Sequence, residues 1–263
     1  MRIGVQLGVN GYGMFGSANT RDTVRVLTTV ADAGAEVVEA MFNLAPKAAL
    51  LRGVAQDLGL QVAAVHVFWW ELLARQAEVI HYCLQAGARQ VIVSHLPASS
   101  RSEYERVAQQ LRVWAQDLDA DGIRLLLHNH AEEMSPATDD QRPAFQILRD
   151  ELGDSTGFCL DLYWAALAGA DLGPLVSFWS DRCSYYHFHD GIIGDPARFT
   201  DSVDLGQGSV DLLAAFARIP PGPDTYLVAE RKFPPADYRT ACGADVSFLT
   251  RLISAASNPA GIR

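Results

Sequence analysis

Eight short, nearly all-apolar segments recur along the chain, each followed by a longer segment whose apolar residues return every three or four positions. This alternation restricts the fold more than any other feature of the sequence. A strand buried on both faces reads as an unbroken aliphatic run, as Val91-Ile92-Val93 and Leu125-Leu126-Leu127 do. The pattern predicts strands over residues 2–8, 36–41, 61–67, 90–95, 124–130, 156–162, 184–190 and 226–230. Helices are predicted over 23–33, 46–58, 71–86, 103–119, 142–152, 172–181, 210–218 and 238–256. Several helical segments stop at a glycine (Gly34, Gly59, Gly87, Gly122), and one opens with Ser102 ahead of Glu103. Eight βα units in 263 residues, with no composition break, predict an α/β fold: a single (β/α)8 TIM barrel over residues 1–257 and a tail over 258–263. An open doubly wound sheet is the alternative use of the same units.

A formal net charge of −10 at pH 7 opposes a nucleic-acid or anionic-membrane partner, because phosphate surfaces attract an excess of Lys and Arg. A small phosphorylated substrate stays compatible, since one or two arginines can hold it. Cys83, Cys159, Cys183 and Cys242 show no Cys-x-x-Cys spacing, which fits a reduced, cytoplasmic chain. The first residues run straight into a strand pattern without an apolar leader, and no apolar run reaches the ~18 residues of a membrane span.

The predicted strands end on titratable groups. Seven of the eight finish with Glu39, His66, His95, His128 with His130, Asp161, His187 with His189, and Glu230. A barrel of this kind builds its active site at the C-terminal ends of its strands, so these side chains would crowd one mouth. In Ser184–Gly191 a period of two puts Tyr185, His187 and His189 on one face, an arrangement that can bind a metal or hold a polarised oxygen. Gly11-Tyr12-Gly13-Met14-Phe15-Gly16 matches a dinucleotide-binding pattern, but four residues separate it from Arg21, and the helix signal begins only near Thr23. That spacing argues against a nucleotide site, whose helix opens within the glycines.

Further motifs add a resemblance. Phe158-Cys159-Leu160-Asp161-Leu162, Ala168-Gly169-Ala170-Asp171, His187-Phe188-His189-Asp190, Leu205-Gly206-Gln207-Gly208-Ser209-Val210-Asp211 and Leu227-Val228-Ala229-Glu230 occur in that order. The chain resembles the xylose-isomerase-like barrel superfamily of sugar isomerases and epimerases, to which apurinic endonucleases are related. The resemblance implies a divalent metal ion held by His128, Asp161, His187 and Glu230, with Glu230 and His128 in the catalytic positions. Three of these match the family in type. The fourth departs, because the family's Glu-Asn-His reads His128-Asn129-His130 here. Trp164 stands where many members carry histidine, and His189 where lysine is frequent.

Exchanging a ligand carboxylate for imidazole removes one negative charge from the implied site and one of two carboxylate bases. It also shifts preference from Mg²⁺ toward Mn²⁺, Co²⁺, Zn²⁺ or Fe²⁺. His66 and His95, read on the inward parity, are candidates for substrate contact, proton shuttling or extra ligation, against hydrogen-bonded rim histidines. His189 is a further candidate substrate contact. Trp69, Trp70 and Trp164 are candidates for an apolar wall against a sugar face, against packing at the rim. Arg198 resembles a family arginine that contacts substrate oxygens, against a surface salt bridge. Tyr12 and Phe15 are candidates for a lid, and Glu39 for orienting a metal ligand.

The implied activity is a metal-dependent isomerase or epimerase of a sugar, sugar phosphate or polyol ketone, working by proton abstraction beside a polarised carbonyl. The alternatives are a hydrolase or lyase using a metal-activated water, or a degenerate carbohydrate-binding protein. A dimer or tetramer built through barrel helices is the family's common assembly.

Overall fold

A computed structural model describes residues 1–8, 20–194, 203–231, 235 and 237–257. Strands β1 (Arg2–Leu7), β2 (Val37–Met41), β3 (Gln61–Phe68), β4 (Gln90–Ser94), β5 (Arg124–His128), β6 (Gly157–Asp161), β7 (Cys183–Phe188) and β8 (Tyr226–Ala229) form one closed barrel in chain order. All pairings are parallel, and β1 pairs with both β2 and β8, which rules out the open sheet. The helices are α1 (Thr20–Asp32), α2 (Ala48–Asp57), α3 (Trp69–Ala86), α4 (Arg101–Ala120), α5 (Ala131–Met134), α6 (Ala144–Leu152), α7 (Leu162–Leu167), α8 (Leu172–Trp179), α9 (Leu212–Phe216) and α10 (Tyr238–Ser257).

Two apolar compartments follow from strand parity. Outward side chains such as Val5, Val38, Val65, Val93 and Leu127 pack under the helices, whose buried faces repeat at helical spacing, as Val107, Leu111, Trp114 and Leu118 do on α4. Inward ones, including Val37, Ala64, Ile92, Leu126, Cys159, Tyr185 and Val228, fill the barrel itself. Gly4 belongs to this inner layer: a Cβ there would sit 2.6 Å from a methyl of Val37 and 3.0 Å from one of Val228.

The helix starts differ from the sequence expectation where capping outweighs periodicity. Ser100, not Ser102, caps α4; its hydroxyl accepts the Glu103 N–H while Glu103 reaches back to the Ser100 N–H. The short helices α5 and α7 leave no periodic trace, but each has its cap: Glu133 accepts the His130 N–H, and Asp161 accepts the Trp164 N–H. Tyr12, Phe15, the glycine-rich run 11–16, Arg198 and residues 258–263 lie outside the described residues. Among the described residues, no helix is long and apolar enough to cross a membrane.

Candidate metal centre

Two residues beyond each member of the inner apolar layer, every strand contributes one polar side chain. They are Gln6, Glu39, His66, Ser94, His128, Asp161, His187 and Glu230, and all but Glu230 are buried. Glu230 keeps 14% of its side chain exposed. The period of two therefore sets a polar tier directly on the aliphatic one. In β4 the inward position belongs to Ser94 rather than His95. His95 follows the strand with φ of 60°, in the left-handed region, and its ring stands above the tier instead.

The four family-implied positions converge. His128, Asp161, His187 and Glu230 each offer a ligand atom, and these atoms lie within 4.8 Å of one another. His128 Nε2 is 3.8 Å from Asp161 Oδ2 and 3.9 Å from Glu230 Oε2, beyond hydrogen-bonding range. His187 Nδ1 and Glu230 Oε2 approach to 2.5 Å, yet neither atom has a hydrogen bond of acceptable geometry. Both nitrogens of His128 are likewise without a partner.

Buried polar atoms are ordinarily hydrogen-bonded, so nitrogens of His128 and His187 and an oxygen of Glu230 left without such bonds, on residues whose ligand atoms converge, fit a cation. The electrostatics agree. Burial, then the neighbouring His187 and His66, hold His128 well below the usual imidazole range, leaving it a neutral donor. Around His187 burial opposes a positive charge, but Cys159, Glu39 and Glu230 together overcome it and push that group well above its usual range. Burial would likewise raise Glu230, while His187 holds it below the usual carboxylate value. A divalent ion would satisfy the same local demand for positive charge, with these four residues as its holders.

Above the polar tier runs an arc of rings. Phe68, His95, His130, Trp164 and His189 follow the ends of β3 to β7 in turn. Neighbouring centroids are 4.9 Å apart for Phe68–His95, 4.3 Å for His95–His130, 5.1 Å for His130–Trp164 and 6.3 Å for Trp164–His189. Burial drives His130 down to about 2 and lowers His95, so this part of the wall is uncharged at neutral pH. The arc, with Gln6, His66, Ser94, His128 and Glu230 of the tier, lines a cavity of about 550 Å³ that also meets Glu132, Glu133 and Arg231. The Arg231 guanidinium is tied down, donating to both oxygens of Asp245 at 2.8 and 2.9 Å.

Residues 27–249 match the family model of the xylose isomerase-like TIM barrel. The chain belongs to that family. An L-ribulose 3-epimerase structure superposes with a TM-score of 0.75 at 20% identity, covering 99% of this chain and 97% of the other. A sugar phosphate isomerase/epimerase from Parabacteroides distasonis gives 0.73 at 16% identity, covering 94% and 93%. A probable 3-DHS dehydratase from Bacillus anthracis gives 0.74 at 12% identity, covering 95% and 99%. Among curated proteins no match was found.

The family's sequence motifs take on structural roles here. Asp190 gathers the 205–211 motif, its oxygens accepting the N–H groups of Gly206, Gly208 and Val210 at 2.9, 3.0 and 3.2 Å. A Cβ on Gly208 would overlap the Asp190 carboxylate. Asn129, the middle of His128-Asn129-His130, clamps the end of β6. It accepts the Asp161 N–H at 2.8 Å and donates to the Asp161 carbonyl at 3.1 Å. Sequence reading had no signal for that role, nor for Ser94 and Gln6, whose side chains are uncharged.

The remaining candidates divide. Trp164, His95 and His189 line the cavity. His189 Nδ1 is 3.3 Å from Asp161 Oδ2. His66 also lines it, but both of its ring nitrogens are engaged, by Glu39 and Ser94. Trp69 is not brought to the site: α3 opens directly after Phe68, which turns Trp69 outward against Trp114 at 4.5 Å. Phe68 takes the wall position, and Trp70, 53% exposed, stands outside it against Phe68 and His95.

Proposed function

We propose that this protein is a divalent-metal-dependent isomerase or epimerase of a sugar or related polyhydroxy ketone. The observation that carries the reading is the convergence of His128, Asp161, His187 and Glu230, with four of their buried atoms making no hydrogen bond. The two imidazoles favour Mn²⁺, Co²⁺, Zn²⁺ or Fe²⁺ over Mg²⁺. When bound, such an ion polarises a substrate carbonyl and so acidifies the adjacent C–H. Glu230 faces the cavity and is kept ionised, so its carboxylate is the acceptor for that proton. The Phe68–Trp164 arc offers uncharged ring faces to the C–H side of the substrate.

The spacing of the two catalytic candidates narrows the reaction. Acceptors on opposite faces of one carbon must each reach it over about 3 Å, hence stand roughly 6 Å apart. His128 Nε2 and Glu230 Oε2 are 3.9 Å apart. That supports one base, Glu230, with His128 as a cation holder, and favours aldose–ketose isomerisation over epimerisation by two facing bases. The same single base would serve a lyase, which keeps that class as the second reading.

Incubation of Mn²⁺-loaded protein with free ketoses, ketose phosphates and polyol ketones in D₂O tests the proposal. Substrate-dependent incorporation of deuterium at the carbon beside the carbonyl is the expected result. Turnover without exchange would move the protein to the hydrolase class, exchange accompanied by net elimination to the lyase class, and saturable binding without turnover to a carbohydrate-binding one.

A further inference from the structure

Beside the four converging side chains lies a second group able to hold a metal: Glu39, His66 and His187. It differs in one respect, because its hydrogen bonds close on themselves. His187 Nε2 donates to Glu39 Oε2 at 2.7 Å, and His66 Nδ1 donates to Glu39 Oε1 at 3.0 Å. His66 Nε2 then accepts from the Ser94 hydroxyl at 2.9 Å. With Glu39 as a carboxylate and both rings neutral, every proton in this chain has one placement, since a carboxylate can only accept and each imidazole must donate toward it.

Resting on the cation site proposed above, we infer that Glu39, held by His66 and Ser94, is a positioning residue for His187 and that the barrel binds one cation, not two. Glu39 takes the Nε2 proton of His187 and thereby leaves the Nδ1 lone pair aimed at Asp161, Glu230 and His128. Glu39 fixes the tautomer of His66, Ser94 anchors the other side of that ring, and His66 in turn holds the second oxygen of Glu39. The carboxylate is therefore anchored from β3 and β4 while it orients a ligand on β7. A carboxylate behind a ligating imidazole both orients the ring and strengthens it as a donor, and loss of such a partner typically weakens metal binding about 10- to 100-fold. A second ion among Glu39, His66 and His187 would have to displace these hydrogen bonds.

Calorimetric titration with Mn²⁺ of the wild type and of Glu39→Gln and Ser94→Ala tests this, alongside NMR of the histidine rings in the Zn²⁺-loaded wild type. Glutamine can accept from one imidazole but presents its NH₂ to the other ring's N–H, so one bond of the pair is lost. The expected results are one Mn²⁺ per wild-type chain and an affinity about 10- to 100-fold weaker in Glu39→Gln. Ser94→Ala should show a loss of a few fold, and His187 should be protonated at Nε2 with the metal on Nδ1. Two ions per chain, unchanged affinity in Glu39→Gln, or metal on Nε2 would each overturn the inference while leaving a cation site in place. A wild type that takes up no divalent ion would overturn the proposed function as well. The NMR arm needs no substitution, so it decides even where Glu39→Gln fails to fold.

Discussion

The two halves of the polar tier are built from the same residue types and behave in opposite ways. Across β2 to β4, Glu39, His66 and Ser94 form a closed set in which each side chain has its partner. Across β5 to β8, four buried atoms of His128, His187 and Glu230 make no hydrogen bond. A buried polar atom left without a hydrogen bond costs about 1–3 kcal/mol. The first half is what a barrel does to keep polar groups inside. The second is a local loss of stability that a bound ligand would repair, which is why the proposed function places its cation there.

The comparison can be broken most severely at Asp161. Asp161→Ala removes a converging oxygen and should abolish measurable divalent-cation uptake by calorimetry, a loss larger than the about 100-fold typical of an outer hydrogen bond. Asp161→Asn, which can still accept the Trp164 N–H, separates this effect from the loss of the α7 cap. Next in size is the response of the wild type to the ion itself. Mn²⁺ at a hundredfold excess over its Kd should stabilise the fold by about 2.7 kcal/mol, seen as a rise in Tm that chelator reverses.

A third test compares the halves directly. His66→Leu strips partners from Glu39 and Ser94 and should destabilise the metal-free protein by about 2–3 kcal/mol in denaturant unfolding. His128→Leu removes two orphaned nitrogens and should leave metal-free stability unchanged or raise it by up to about 1 kcal/mol. The same sign for both would erase the distinction. Smallest is Trp164→Ala, which should raise KM several-fold with cation affinity unaltered, since the ring lines the cavity above the polar tier.

Much of this was legible in the sequence because parity survives folding. Counting by two along β5 to β8 places 128, 161, 187 and 230 at equivalent heights, and the structure brings them together. Where parity is disturbed, the local pattern is a weaker guide. The β2–β3 register shifts next to Val38 and Glu39, so both Ala63 and Ala64 face inward, and a count from the start of β3 would misplace His66 by one. The pattern carries His95 inward on the strand, but β4 ends a residue earlier and a left-handed turn lifts the ring. Trp69 looks like a wall candidate because nothing in the composition of Phe68-Trp69-Trp70 says where strand passes to helix. Hydrogen-bond closure, which separates His66 from His128, depends on side chains distant in the chain and leaves no local sequence trace.

Anomalous diffraction from crystals equilibrated with Mn²⁺ would locate the cation. A single peak bounded by His128, Asp161, His187 and Glu230 is expected, with the Glu39–His66–Ser94 hydrogen bonds intact beside it. A peak elsewhere in the barrel, or none at saturating Mn²⁺, would contradict the proposed cation site.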